Sequence, residues 1–282
     1  MSFTLEIIAF RIKVIVKGGV RMSDLNIEVT IDGEVYTDSQ LAQYEYQRNL
    51  HVLHELKGLG ITVTDGGNEL SHQDINWLTP EKVAEISLKI RQELGAKGAY
   101  ELFKDVEADT ERRWKEYLVD YKPEDSHVGV TKIHVTGVTI QETLPVMGGG
   151  HGEKQALSIN PEHYIVQGAI TNGEQHGMEV FGMFGEPTYI SGEPTDKIPA
   201  GLPFKKDPHY VKSMFGETLL GSDGTNIHLG AMHEFLPEEN GFSMKSTFFC
   251  PGKAPQAIAD GHKIHFALEL TNSVKIAYSL KQ

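Results

Sequence analysis

Histidine is the polar residue type whose placement points most directly to chemistry. Ten of the 13 histidines lie at or after position 127, and three continue the apolar face of a predicted strand: His176, His233 and His262. Imidazole nitrogen is a preferred ligand of zinc and other transition metals. If these faces line one interior, they predict a site for one divalent metal: zinc, iron or manganese. Alternatively, each histidine lies at a strand end, hydrogen-bonded or solvated.

Three glutamates, Glu142, Glu179 and Glu234, also fall within predicted strands. Burial in an apolar interior favours the neutral form of a carboxyl group, which suits it to general acid or base catalysis. We therefore predict these residues as candidate catalytic groups, acting with or without a metal. The alternative is that they face solvent, as strand carboxylates usually do.

His265 and Glu269 have the spacing of a helical metal-binding pair. However, Ile264, Phe266 and Leu268 alternate with their neighbours, and this alternation predicts a strand. Residues four apart on a strand are separated by about 13 Å, too far to bind one ion. The sequence therefore argues against a joint site for His265 and Glu269.

The common nucleophile and nucleotide-binding motifs are absent from the sequence. It has no Gly-x-Ser-x-Gly, no Gly-x-x-x-x-Gly-Lys-Ser/Thr, and no Gly-x-Gly-x-x-Gly after a predicted strand. Serine hydrolases, P-loop nucleotide hydrolases and Rossmann dehydrogenases are therefore without support. Cys250, the single cysteine, predicts a packed free thiol rather than a nucleophile.

Charge and composition limit the partners. The 282 residues include 26 Lys and Arg against 39 Asp and Glu, a formal net charge of −13. Such a chain is a poor binder of nucleic acid or of anionic membranes, and no apolar run reaches the length of a membrane span. The single cysteine excludes an intramolecular disulfide, and no segment has the features of a secretory signal. We therefore expect a cytoplasmic protein whose partner is a small apolar molecule.

The elements that must position these residues change in character along the chain. Residues 26–36 predict a hairpin with an Asp32-Gly33 turn, and a helix follows over 39–57. Thr79 and Pro80 begin a second predicted helix, and a third covers about 102–118. After Pro123, alternating apolar residues predict strands over 128–142, 164–171, 178–184, 226–235, 242–249, 263–270 and 274–280.

These elements predict an α+β fold, with an N-terminal helical region packed on a C-terminal, mainly antiparallel β-barrel or β-sandwich. The predicted divisions are a hairpin plus helical region over 22–125 and a β-rich, barrel-like domain over 126–282. Residues 1–21 are interpreted as a possible mis-start extension. Codons for Lys17 to Arg21 can form a bacterial ribosome-binding site ahead of Met22. The alternative is a genuine N-terminal strand, since Phe3, Leu5 and Ile7 alternate with polar neighbours.

Two segments resemble parts of the cupin motifs, which belong to a family of small barrels with many metal-dependent oxygenases and isomerases. Residues 162–168 are similar to the end of the first motif, and residues 198–203 look like the start of the second. The metal-ligand positions differ. Ala156 and Ser158 stand near the place of the His-x-His pair, and Phe204 stands where a histidine is expected. The resemblance therefore supports a barrel but implies no cupin ligand set.

The favoured function is a small-molecule enzyme of the lyase, isomerase or hydrolase type. It would act through a His/Glu site on an apolar or aromatic carbonyl compound. One alternative is a non-catalytic protein whose barrel holds an apolar ligand. Another is an interaction protein, a possible homo-oligomer, whose interface involves Trp77 and Trp114 of the helical region.

Overall fold

A computed structural model describes residues 25–169, 174–183, 185–195 and 198–282. The predicted extension over 1–21 lies outside the described residues, as do positions 170, 171 and 184 at the ends of two predicted strands. The part of the chain described has six α-helices and 11 strands. Within it, none of the helices combines the length and apolar character needed to cross a bilayer.

The helical region follows its sequence signals. It contains three helices and a minimal hairpin: α1 (Asp38–Gly58), β3 (Thr64–Asp65), β4 (Asn68–Glu69), α2 (His72–Ile75) and α3 (Pro80–Tyr117). The Thr37 and Thr79 hydroxyls accept hydrogen bonds from backbone amides of the first turns of α1 and α3. The predicted starts of these helices are therefore confirmed. The second and third predicted helices merge into α3, with a kink at Gly95, where φ is 57°.

The remaining strands form one antiparallel sheet of nine strands, ordered β2-β1-β5-β11-β10-β9-β8-β7-β6. Its members are β1 (Asn26–Ile31), β2 (Glu34–Tyr36), β5 (His127–Thr136), β6 (His163–Ala169), β7 (Glu174–Val180), β8 (Pro187–Thr195), β9 (Lys212–Leu220), β10 (Asn226–Glu238) and β11 (Gly241–Cys250). The β1–β2 hairpin turns at Asp32 and Gly33, both with positive φ, as predicted. Strands β2 and β6 are the edges, so the sheet is open and a closed barrel is not confirmed.

Three helices accompany the sheet: α4 (Ile140–Met147), α5 (Glu153–Ile159) and α6 (Gln256–Lys281). The prediction of strands over 263–270 and 274–280 is wrong, because both belong to α6. The predicted strand over 128–142 ends at Thr136, and Glu142 lies in α4. Residues 264 to 268 of α6 are all buried. A helix covered on nearly every side loses the amphipathic period that identifies helices in sequence.

Helix α6 lies against one side of the sheet. It packs on β5 and β11, and its His265 also reaches His163 of β6 at the far edge. Phe248, Phe266 and Leu268 belong to the core between them. A second core joins α1 and α3 to the other side of β6 and β7 and contains Phe103 and Tyr164. The edge of the sheet formed by β6 and β7 is thus enclosed by helices on both sides.

Candidate metal centre

A cavity of about 200 Å³ lies between α6 and the sheet. Aromatic and aliphatic side chains form most of its wall, among them Phe181, Phe248 and Phe266. Four histidines and three glutamates also line it: His163, His233, His262, His265, Glu179, Glu217 and Glu269. An apolar pocket with a few convergent polar groups is typical of a small-molecule site.

One face of α6 supplies three of these groups. His262, His265 and Glu269 are three and four residues apart, and this spacing places side chains together along one side of a helix. The Nε2 atom of His265 lies 3.6 Å from Oε2 of Glu269. The sequence argument against this pair rested on a strand, so it is wrong in its geometry: on a helix the two residues meet.

The neighbouring strands β6 and β7 supply two more groups. His163 lies directly opposite Glu179, beside a shift of register between His163 and Ile165. Opposed residues on antiparallel strands project to the same side of the sheet. Accordingly, Nε2 of His163 lies 3.5 Å from Oε2 of Glu179.

The hydrogen bonds behind His265 determine which of its nitrogens faces the cavity. Its Nδ1 lies 2.9 Å from Oε2 of Glu162, and an ionised carboxylate can only accept. In its neutral form the imidazole therefore carries its proton on Nδ1, which leaves an unshared electron pair on Nε2. This is the carboxylate–histidine arrangement that orients many metal-binding histidines.

His163 is oriented in the same sense. Its Nδ1 lies 3.4 Å from the carbonyl oxygen of Ala156, which accepts a hydrogen bond from it. Its Nε2 then presents a second unshared pair, 3.3 Å from Nε2 of His265. Two such nitrogens repel unless a proton or a cation lies between them. Zinc–nitrogen bonds of 2.0–2.1 Å at a tetrahedral angle separate two nitrogens by about 3.4 Å, close to this spacing.

His262 completes a second overlapping group. Ligand atoms of His163, His265 and Glu269 all lie within 4.8 Å of one another, and so do those of Glu179, His262 and His265. The His262 ring stacks on Phe248 and on His265, with centroids 4.0 and 4.4 Å away. Its Nδ1 is buried and has no hydrogen-bond partner among the described residues. Buried polar atoms of this kind require a further explanation, such as an ion.

Burial and charge set the protonation states of these groups. Desolvation lowers the pKa of His163 to about 4, holds that of His262 well below its usual value and lowers that of His233. Burial raises the pKa of Glu179 to about 7. Burial also acts to raise the pKa of Glu269, but the close contact with His265 outweighs it, so the pKa is lowered. Neutral imidazoles beside a carboxylate are the ligand forms that metals bind.

The wall of the cavity carries no lysine or arginine among the residues that the structure describes. Two buried arginines lie nearby, but each is held in the surrounding wall. Arg48 contacts Glu162 and two backbone carbonyls, and Arg91 donates to the carbonyls of Leu157, Asn160 and His163. The charge in the cavity comes from carboxylates, which favours a cation or an uncharged molecule.

Of the residues proposed from sequence, Glu179, His233 and His262 line the cavity. His233 lies on β10, and its Nδ1 is 2.8 Å from the Ser246 hydroxyl. His176 lies on β7 between the cavity-lining Gln175 and Gly177, so strand alternation directs it to the opposite side, where its ring stacks on Tyr189.

Two proposed glutamates have other roles. Glu142 accepts hydrogen bonds from Thr139 at the start of α4 and pairs with Lys281. Glu234 points away from the cavity, where it accepts from the Asp207 amide and pairs with Lys245 at 3.0 Å. Both carboxylates contribute to structure at these positions and lie outside the metal-ligand groups.

Sequence reasoning missed most of the remaining cluster. Assigning α6 as a helix would have brought His262, His265 and Glu269 together, because their spacing is helical. No sequence signal connects these residues to Glu162 and His163, roughly 100 residues earlier, or to Arg48. Only the packing of α6 and α1 against the edge of the sheet brings them together.

No family model matches this chain, and no curated protein matches it. Among solved structures, it is similar to protein Ms6760 from Mycobacterium smegmatis, with 11% identity, a TM-score of 0.34, and coverage of 58% of this chain and 96% of the other. It is also similar to a protein from Arthrobacter aurescens, with 11% identity, a TM-score of 0.35, and coverage of 56% of this chain and 90% of the other. A third similar structure is a conserved protein from Geobacillus kaustophilus, with 11% identity, a TM-score of 0.34, and coverage of 55% of this chain and 95% of the other.

Proposed function

We propose that this protein is a metal-dependent enzyme that acts on a small, uncharged apolar or aromatic carbonyl compound. The observation that carries the proposal is the approach of two histidine Nε2 atoms, on His163 and His265, to 3.3 Å. The outer hydrogen bonds of both rings direct their unshared pairs toward each other, and carboxylates flank them. One divalent cation, zinc, iron or manganese, would satisfy all of these groups.

The favoured ligand set is His163, His265 and Glu269. Two imidazoles and one carboxylate are a common protein ligand set for catalytic zinc and for non-haem iron. Three protein ligands leave coordination positions open to the cavity, as catalytic metal sites require. His262 and Glu179 lie close enough to serve as alternative ligands or as proton-transfer groups.

The size and wall of the cavity restrict the substrate. An engineered protein cavity of about 150 Å³ accommodates benzene. The 200 Å³ present here therefore suits a single ring with a small substituent. The aromatic wall favours such a ring. With no lysine or arginine among the described lining residues, a carboxylate or phosphate on the substrate would remain unpaired.

The chemistry follows from these neighbours. A bound metal would polarise a carbonyl oxygen of the substrate. Glu179 is positioned beside the ligand set and can exchange a proton with the substrate. A polarised carbonyl with an adjacent proton-transfer group suits the lyase, isomerase or hydrolase classes predicted from sequence.

The first test is metal content. Tag-free protein, purified without chelators, should contain about one equivalent of a transition metal per chain, or bind about one equivalent of added Co²⁺. His265→Ala and Glu269→Gln should each abolish tight binding. His72→Ala, which removes a surface histidine from α2, is the matched control and should bind as the wild type does. Wild-type protein with neither bound metal nor saturable Co²⁺ binding would overturn the proposal.

The second test addresses the substrate. Acetophenone and benzoate have similar shapes but differ in charge, so they form a matched pair of probes. We expect acetophenone to perturb the visible spectrum of the Co²⁺-loaded protein and benzoate to have a much weaker effect. The opposite order would contradict the substrate class. Metal-independent binding of acetophenone would instead favour the non-catalytic ligand-binding alternative.

A further inference from the structure

The strongest further feature is Arg48, a buried residue on the first helix that reaches the metal centre from behind. Its side chain is 1% exposed. The guanidinium contacts the carboxylate of Glu162 and donates to the carbonyl oxygens of Gly182 at 3.1 Å and Gly261 at 3.3 Å. These three acceptors belong to three separate segments of the chain.

Each of those segments carries candidate metal ligands. Glu162 directly precedes His163, Gly182 follows Glu179 by three residues, and Gly261 directly precedes His262 on α6. A single planar guanidinium thus connects three segments: the start of β6, the end of β7 and the turn of α6 that faces the cavity. These bonds hold the three segments in place relative to one another. No other residue described here bonds to all three.

Arg48 also acts on one ligand through a direct chain of contacts. One carboxylate oxygen of Glu162 faces Arg48, and the other accepts the Nδ1 proton of His265. The carboxylate is 3% exposed, so without Arg48 it would be a buried charge with reduced compensation. A lysine could supply the charge but not the forked geometry that binds several acceptors in a plane.

We propose that Arg48 is a positioning residue of the metal centre, acting through Glu162 to hold Nε2 of His265 toward the cavity. The inference rests on the proposed function, because it assumes that the site binds a metal. It adds that helix α1 contributes a residue to that site. The helical region and the sheet would then form one functional unit rather than a catalytic domain with an appendage.

The test compares Arg48→Lys with the wild type in two measurements. Co²⁺ titration of the full chain should show a dissociation constant raised about 10- to 100-fold. This is the usual effect of losing a residue that orients a metal ligand from behind. Histidine ¹⁵N spectra of the metal-free protein should show that His265 loses its preference for a proton on Nδ1. Lys245→Met is the matched control, because it removes an ion pair between β11 and Glu234 of β10 whose described bonds reach no candidate metal ligand. It should leave both readouts at wild-type values.

Unchanged Co²⁺ affinity and unchanged His265 spectra in Arg48→Lys would overturn the inference. If Arg48→Lys does not fold, Glu162→Gln tests the same chain of contacts. This substitution weakens the hydrogen bond that Glu162 accepts from His265, so it should also weaken Co²⁺ binding at least tenfold. A wild-type dissociation constant would refute the positioning role. If the wild type binds no Co²⁺, the proposed function fails, but the ¹⁵N spectra of the metal-free proteins still decide whether Arg48 orients His265.

Discussion

Two pairs of histidines in this protein have similar contacts and very different surroundings. On the surface, Nδ1 of His54 on α1 lies 2.8 Å from Nδ1 of His72 on α2, and the rings stack. In the cavity, Nε2 of His163 lies 3.3 Å from Nε2 of His265. The surface pair is open to solvent, whereas the cavity pair is buried, with exposures of 5% and 1%.

The difference lies in what stands behind each ring. Nε2 of His54 can donate to the Asn76 side chain, so its Nδ1 accepts the proton of His72 and the surface pair is satisfied as a simple hydrogen bond. In the cavity pair, a carboxylate and a carbonyl oxygen accept hydrogen bonds from the two Nδ1 atoms, so two neutral rings have no proton to share between their facing Nε2 atoms. A site is therefore distinguished by its outer partners and burial rather than by the distance between two imidazoles.

The largest expected effect separates the two pairs by metal affinity. His163→Ala should weaken Co²⁺ binding at least about 100-fold, because loss of a ligand costs more than loss of an outer partner. His54→Ala should leave the affinity unchanged. Isothermal titration of both variants measures this directly. If His54→Ala weakened binding as much as His163→Ala, the comparison would fail.

A second prediction concerns the backbone that holds the cavity pair in place. A methyl group on Gly261 of α6 would lie 2.1 Å from the Met183 amide nitrogen, so Gly261→Ala should destabilise the fold by about 2–3 kcal/mol. Gly58, in the exposed last turn of α1, has nothing within 4 Å of the same position. Gly58→Ala should raise stability by roughly 0.5 kcal/mol. Urea unfolding of both variants provides the measurement, and equal stabilities would show that α6 does not approach the sheet this closely.

Burial without a hydrogen-bond partner can be tested at Glu107 of α3, which is not among the described residues that line the cavity. Burial, and then the nearby Glu111, raise its pKa from 4.5 to about 7. Between these two pH values the native carboxyl group holds a proton that the unfolded chain has lost. The wild type is therefore fully stable below pH 4.5 and loses stability as the pH rises to about 7. Glu107→Gln should therefore be more stable than the wild type by about 1 kcal/mol at pH 8 and nearly equal to it at pH 4.5. Urea unfolding at the two pH values checks this, and a difference that does not vary with pH would refute it.

The smallest effect is expected at the surface pair itself. His72→Ala removes one solvent-accessible hydrogen bond, so the free energy of unfolding should change by less than about 0.5 kcal/mol. Thermal unfolding with and without Co²⁺ measures it. A cobalt-dependent stabilisation that is present in the wild type and lost in His72→Ala would show that the surface pair also binds metal.

Local signals predicted the helical region well. The Thr79-Pro80 start and the Asp32-Gly33 turn depend on the conformations of a few adjacent residues, and both are present in the structure. The strands β10 and β11 also match alternating segments, because each has one face toward the interior. The prediction failed for α6, whose burial on nearly all sides removes the periodic pattern that local reasoning needs.

The candidate site was predicted only in part. The apolar faces of predicted strands point to His233 and His262, and Glu179 is a candidate because it falls within a predicted strand; all three line the cavity. The same reasoning selected His176, whose apolar face packs toward the helical region instead. Alternation identifies a buried face, but it does not reveal what covers that face.

By itself, the sequence determined the acidic charge, the helix starts and turns, the mixture of helices with antiparallel strands, and the enrichment of histidine after position 127. Tertiary structure alone decided which histidines meet, because His163 and His265 are separated by 102 residues and come together only when α6 packs against the edge of the sheet. Tertiary structure also decided how the two rings are oriented. The direction in which each ring presents its unshared pair depends on Glu162, Ala156 and the burial that excludes water, and these contacts arise only in the folded chain.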